Sequence, residues 1–326
     1  MRLKYNRGIF HINSLKYNKK GFEFSFAWLF AIIVGAFILF LAIYAVTKIL
    51  DTGRDITSAK TGKEIGILLN PLETSFETAG STLFTMPVET RIYNRCDNGS
   101  VFGKQIIKVA QKNFNKWTDT DIDIGFQNKY IFSENFAEGK NFFVFSKPFE
   151  FPFKVADLIY LTSANKKYCF VNAPDEIEEE ISDLNQENLL VQQCPDDSIK
   201  ICFRTSRSEC DIIVNGNSQS VEKNGQVVYY ETNALMYAAI FADKGVYECQ
   251  VSRLMKRTNE LLYLYSEKYS LLSERGCSSG VNSEIISFRN LISDISNSEQ
   301  LVNAVSEIKY LEAQNELAGE GKCRLW

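Results

Sequence analysis

An α+β architecture is predicted, with an N-terminal transmembrane helix, a mainly antiparallel β ectodomain and a C-terminal helical hairpin. Three features of the 326-residue chain predict it. Residues 26–46 form an uncharged apolar run, residues 81–246 carry short period-two runs of β-branched and aromatic side chains, and apolar residues recur every three or four positions over 247–326. The expected segments are a basic head or leader (1–21), the transmembrane helix (22–50), a juxtamembrane helix or linker (51–80), the β-rich ectodomain (81–246) and the hairpin (247–326).

The run FAWLFAIIVGAFILFLAIYAV holds 21 residues, and at ~1.5 Å per helical residue it covers the ~30 Å hydrocarbon thickness of a bilayer. Six Lys and Arg precede it and four follow within residues 47–66 (Lys48, Arg54, Lys60, Lys63), a modest positive-inside bias. All eight cysteines, Cys96, Cys169, Cys194, Cys202, Cys210, Cys249, Cys277 and Cys323, lie beyond the run, as an oxidising exterior favours. The sequon Asn98-Gly99-Ser100 is usable for glycosylation only outside. Together these predict a single-pass protein of the cell membrane, with a cytoplasmic N-terminus and an external C-terminal domain. Eight reduced thiols in a cytosolic domain are the plainer alternative. A removable secretory signal fits poorly, because its apolar core is normally ~7–15 residues long and ends at an A-x-A-like site.

The helical pattern continues past the apolar run. Residues 47–70 contain no proline, and Ile49, Ile56, Ala59, Lys63 and Gly66 share a helical face up to Pro71. A helix over 22–70 would be about 70 Å long. A hinge near residues 51–53 followed by a second short helix is equally compatible, since Gly53, Gly62 and Gly66 each cost ~1 kcal/mol against alanine.

In the ectodomain, Phe149, Phe151, Phe153 and Val155 alternate with Glu150, Pro152 and Lys154, predicting a half-buried strand whose Pro148 and Pro152 place it at an edge or bulge. The phenylalanines read as a core layer more readily than as a binding stripe. DLIYLTS, KKYCFVN, SIKICFR, CDIIVNG and GQVVYYE add further strands. One helix interrupts them, opened by Pro174 and carrying Ile177, Ile181 and Leu184 on one face. Beyond residue 246, Leu254, Thr258, Leu261, Tyr265, Tyr269 and Leu272 predict an amphipathic helix over 252–274 closed by Gly276. Ile285, Phe288, Ile292, Leu301, Val305, Ile308 and Leu311 mark a second arm, bent or broken near 293–297, with Ser296-x-x-Glu299 as a capping-box candidate.

Eight cysteines allow 105 pairings. Cys249 and Cys277 bracket one helix and lie ~40 Å apart, which excludes their pairing. Cys249 is expected to reach Cys323, and the spacing of Cys194, Cys202 and Cys210 suggests local bridges.

Catalytic signatures are scarce. The single histidine, His11, precedes the apolar run, so a Ser-His-Asp triad, a Cys-His pair or a histidine-ligated metal site is unavailable in the ectodomain. No Walker A loop, dinucleotide fingerprint or CxxC pair occurs. Asp119-Thr-Asp121-Ile-Asp123-Ile-Gly125 opens like a calcium loop, but its glycine is one place late and its twelfth position is Tyr130, so a strand with outward aspartates is preferred. Asp175, Glu176, Glu178, Glu179 and Glu180 crowd a helix start, where carboxylates complement the dipole. Residues 24–326 carry 30 bases against 39 acids, and this balance argues against nucleic-acid partners. Neither a cofactor nor a metal site is expected. The expected partners are the lipid bilayer and a protein, a second copy included.

KPFEFPFKVADLIYLTS, YECQVSRLMKR and a downstream RGC, behind this anchor, resemble a family of uncharacterised single-pass membrane-anchored proteins of small-genome archaea. That resemblance implies an envelope protein and carries over no activity. Lys19-Lys20-Gly21-Phe22 resembles the processing site of type IV pilin-like precursors, which implies cleavage between Gly21 and Phe22 and a helix used as an assembly spine. The family's glutamate five residues past the cut is Phe26 here, and Glu23 stands at the second position instead. The function expected is a structural or interaction component of the envelope, pilin-like or secretion-associated. A membrane-anchored binding module is the alternative, and an anchored hydrolase the third choice.

Overall fold

The computed structural model describes residues 26–68, 81–113, 116–119, 123–203, 209–277, 280–320 and 323–326. The proposed processing site at Gly21 and Phe22, His11 and Asp121 lie outside the described residues. Two compact units emerge, residues 1–53 and 54–326. Helix α1 (Phe26–Leu68) runs for 43 residues, and its backbone is helical through 51–53. Its stretch Phe26–Lys48 is long and apolar enough to cross a membrane, and every one of those side chains is exposed. Leaving Phe30, Phe37, Leu39 and Phe40 in water would forfeit roughly 1.5–3 kcal/mol for each side chain, a cost that a lipid environment removes.

Among the described residues, the unit that follows holds two sheets. The first has the order β3-β2-β1-β6-β7-β5, with β4 also on β2. Its strands are β1 (Ser81–Asp97), β2 (Lys104–Asn113), β3 (Lys116–Asp119), β4 (Ile124–Phe126), β5 (Tyr130–Phe132), β6 (Phe136–Glu150) and β7 (Lys154–Ser163). All pairs are antiparallel except β5 with β7. Strand alternation gives it two buried faces. Tyr130, Phe132, Phe145, Leu158 and Tyr160 point into the main core, while Ile92, Ile107, Val109, Ile131, Phe142, Val144, Ile159 and Leu161 form a second core built from this sheet alone. Enclosing that second core requires the sheet to curl. The curl brings the free edge of β5 to Asn94 of β1 and Gln105 of β2, whose amides bond Ile131 O and Ile131 N in place of a backbone ladder.

The alternating Phe149–Val155 run is buried as expected, but it is not one strand. β6 ends at Glu150, a cis Phe151-Pro152 bond turns the chain, and β7 starts at Lys154. Neither strand is an edge strand, but the register of β6 on β7 shifts between Phe149 and Glu150, as the bulge alternative expects, and Pro148 is tolerated because β1 pairs with β6 only as far as Phe145. Asp119 ends β3 and Asp123 precedes β4, so the aspartates flank a strand connection instead of alternating along one strand.

The second sheet has the order β13-β12-β11-β10-β8-β9, from β8 (Tyr168–Val171), β9 (Leu189–Val191), β10 (Ile199–Cys202), β11 (Ile212–Asn215), β12 (Ser220–Lys223) and β13 (Gln226–Tyr229). β8 and β9 are parallel because α2 (Asp175–Asp183) crosses between them, burying Ile177 and Ile181. Pro174 sits at the N-cap, one position before the helix. A second helix here, α3 (Asn233–Phe241), escapes the sequence pattern. Its residues 234–241 are all buried, so no polar face marks a period, and Thr232 caps it by accepting from Leu235 N.

α4 (Lys244–Ser273) begins eight residues earlier than its amphipathic face announces, because its first turns are buried on more than one side. Gly276 adopts φ 94° and Cys277 N returns to Leu272 O, closing the helix as expected. α5 (Val281–Ser293) completes the hairpin by packing on α4. The break at 294–297 is a reversal, after which α6 (Ser298–Leu301), a 3₁₀ turn and α7 (Val305–Glu320) form a third arm against α5. The cap there is Asn297, accepting from Gln300 N, while Gln300 Oε1 reaches back past it to Ser296 N, so Ser296 and Glu299 do not form the expected box.

Four disulfides join Cys96 to Cys249, Cys169 to Cys194, Cys202 to Cys210 and Cys277 to Cys323. Cys249 and Cys277 stay unpaired with each other, and Cys202–Cys210 is local, both as expected. Cys249 does not take Cys323. The third arm carries Cys323 to the far end of α4, beside Cys277, while Cys249 near the helix start faces the end of β1.

Candidate functional site

The best-built polar constellation joins α4 to one end of the curled sheet. Arg253 is 0 % exposed, and its five N–H groups all bond neutral oxygens. Nε donates to Phe102 O (3.1 Å), Nη1 to Lys129 O (2.9 Å) and Gln250 Oε1 (2.6 Å), and Nη2 to Gln127 O (2.9 Å) and Phe126 O (3.5 Å). The Tyr130 ring lies 4.6 Å from the guanidinium carbon. Burial pulls the Arg253 pKa down and pushes the Tyr130 phenol up.

The network runs on in one direction. Gln250 Nε2 donates to Gln105 Oε1, Gln105 Nε2 to Asn94 Oδ1, and Asn94 Nδ2 to Ser133 Oγ (2.8 Å) and Ile131 O (3.1 Å). Such a chain polarises itself, each bond strengthening the next. Around it, Asn98 Nδ2 donates to Ser252 Oγ (3.3 Å), Lys256 Nζ to Ser100 O (3.1 Å), and Cys96–Cys249 closes the same corner. Gly103 sits at φ 61° with space for no Cβ, since one would meet Asp97 O at 2.5 Å and Arg253 Cγ at 2.8 Å. The constellation therefore organises the loops 97–103 and 127–129 around α4. With every guanidinium donor engaged, it holds structure and presents no free cation to a ligand.

A second arrangement lies on the outer face of β3-β2-β1-β6. Arg91 stacks between Trp117 (4.4 Å) and Phe136 (5.0 Å) and is paired with Glu138, while Tyr93 OH donates to Asp119 Oδ1 (3.2 Å). Lys112 joins Glu89, and Arg95 joins Asp123. The expected aspartates thus split up, Asp119 and Asp123 each taking its own partner. Phe136 remains 45 % exposed, an aromatic edge among paired charges. On α2, Asp175, Glu176 and Glu178 occupy the first turn as predicted, with Glu180 accepting from Tyr237 OH (2.9 Å). Among the described residues no group of three or more His, Cys, Asp or Glu side chains is placed to hold a metal ion.

Asn98 lies exposed in the turn after β1, where a sequon is reachable. The disulfide candidates are all brought into pairs. Asn94, Gln105, Gln250 and Arg253 were missed by sequence reasoning. A usable signal existed in Gln250 and Arg253, which share a helical face with Tyr247, Val251 and Leu254. Comparison of the chain with protein-family models, with known proteins and with solved structures finds no match.

Proposed function

We propose that the chain is a single-pass cell-envelope protein whose N-terminus lies in the cytoplasm and whose disulfide-bonded domain lies outside, acting as a structural or interaction component. The observation that carries this reading is the pairing of all eight cysteines in four disulfides, every one of them later in the chain than the apolar, exposed stretch Phe26–Lys48. Disulfides persist in oxidising compartments and are rare in the cytosol. The reading gives the ectodomain no catalytic role; with the one histidine at His11, histidine-dependent hydrolysis is disfavoured there, and an anchored hydrolase using other groups stays the third choice. Membrane-impermeant protease added to intact cells tests the topology. Degradation of the domain from residue 81 onward is expected, and protection of that domain until the cells are lysed would overturn it.

A pilin-like or secretion-associated assembly is the second reading, favoured by the unbroken run of α1 to Leu68, which suits an assembly spine. N-terminal peptide mass spectrometry separates it from a fixed anchor: a chain starting at Phe22 supports processing, and one starting at Met1 refutes it.

A further inference from the structure

Four strands end the two sheets, and each of their free edges is blunted. On β5, the amides of Asn94 and Gln105 bond Ile131 O and Ile131 N. On β13, Tyr229 N donates to Ser298 Oγ (2.9 Å), Tyr229 O accepts from the Tyr247 hydroxyl, and Val227 O accepts from Lys244 Nζ (3.1 Å). β9 is only three residues long, and the four-residue β3 exposes Lys116 and Asp119 at its ends. Short, charged or covered edges keep a sheet from pairing with another chain. One edge lacks every such device, and it lies within β1. β6 pairs with Ser81–Thr85 and again from Thr90, but β2 pairs with β1 only from Thr90 onward. Among the described residues no strand pairs with the other edge of Ser81–Thr85. The segment STLFT carries neither charge nor proline, and Leu83 is 52 % exposed. Phe84 stacks on Phe142 at 5.2 Å, which holds the strand flat against the second core. After Thr85 the register on β6 shifts, and Pro87 offers no N–H, so the open edge stops there.

We propose that Ser81–Thr85 is a self-association edge, to which the same segment of a second copy adds as an antiparallel strand. A two-fold axis at Leu83 sets Leu83 opposite Leu83, Thr82 opposite Phe84 and Ser81 opposite Thr85, so the first sheet runs on through both copies. Charge selects this occupant. Residues 24–326 carry 39 acids against 30 bases, so two copies repel over most of their surface. At this edge they meet with no charge on either strand, and Ser81, Thr82 and Thr85 face only neutral partners. Anchoring supplies the rest. Copies held in one membrane share an orientation, which suits the two-fold relation that antiparallel pairing of identical strands requires. Five residues a side fall short of the ~20–30 a side of a standing interface in solution, so the pairing draws on the high effective concentration that a shared membrane provides. That step rests on the reading of α1 as a membrane anchor, and it holds whichever side of the membrane the domain occupies.

The test places the photo-crosslinker p-benzoylphenylalanine at Leu83 of the full chain and irradiates native membranes holding a mixture of isotopically light and heavy copies. A dimer is expected whose branched peptide joins position 83 of one copy to residues 81–85 of the other, with light–heavy pairs showing that two chains are joined. With the probe moved to Thr85, adding Leu83→Lys should remove most of the dimer, because two ammonium groups then stand opposite each other. The substitution lies on an exposed side chain, and retention of the same four disulfides shows that the fold survives it. A crosslink confined to one chain, to lipid or to a different protein overturns the proposal. So does the absence of dimer in the membrane, or a dimer that Leu83→Lys leaves unchanged. A domain found on the cytoplasmic side would refute the proposed topology and leave these crosslinks in place, so the two failures are distinguishable.

Discussion

Replacing Arg253 by methionine isolates what the buried guanidinium contributes. The side chain keeps its apolar stem but loses all five donors, leaving Phe102 O, Phe126 O, Gln127 O, Lys129 O and Gln250 Oε1 without that partner. The bonds to Lys129 O and Gln250 Oε1 are buried, whereas the other three are partly buried and recover water. Two stranded buried acceptors cost about 1–3 kcal/mol each. The lost contact with the Tyr130 ring adds about 1 kcal/mol, and relief from burying a charge returns part of the total. The net expectation is a destabilisation of about 3–5 kcal/mol, read as a lower urea midpoint with unchanged slope in detergent-solubilised protein with intact disulfides. Arg253→Lys should recover less than half, because three donors on a flexible stem cannot span the fork. A loss under ~1 kcal/mol in Arg253→Met would refute the claim that this residue organises the loops.

Three further outcomes follow from the same geometry. Gly103→Ala should cost at least ~2 kcal/mol, since φ 61° and a 2.5 Å approach to Asp97 O both oppose a Cβ; the urea midpoint reads it. Cys96–Cys249 closes 153 residues and Cys202–Cys210 closes eight, so chain entropy predicts losses of about 5 and about 2.5 kcal/mol when each pair becomes serine; equal losses would contradict that reading. Burial raises the Glu231 pKa, with Glu312 adding repulsion. The folded state therefore holds its proton more tightly, and this contribution is present at low pH and lost as pH rises through the raised value. Glu231→Gln should raise the urea midpoint more at pH 7 than at pH 4.

Elements with a polar side, or with a β-branched and aromatic run between turn residues, were the legible ones. α2, the exposed part of α4 and β11 each alternate between core and water, which is visible in a sequence, while β7 and β8, buried along most of their length, were legible as β-branched and aromatic runs bounded by turn residues. α3 is enclosed on every side, so NALMYAAIF carries no period and disappeared into the strand-rich region. The reversal after Ser293 looked like a bend because no glycine or proline marks it, and that single error sent Cys323 to the wrong end of α4. The polar network was hidden for a different reason. An arginine within SRLMKR reads as surface by composition, and its burial depends on carbonyls contributed by loops more than 120 residues away. Asn94 and Gln105 likewise acquire meaning only once the sheet curls and leaves the β5 edge to be satisfied.

The account stands most directly on the oxidised, external state of the domain that follows α1. A membrane-permeant thiol reagent applied to living cells before lysis, followed by mass spectrometry of the extracted chain, counts its free cysteines. The account predicts none modified without reduction and all eight accessible after reduction and unfolding. A chain modified at its cysteines before reduction would place the domain in a reducing compartment and contradict the envelope reading.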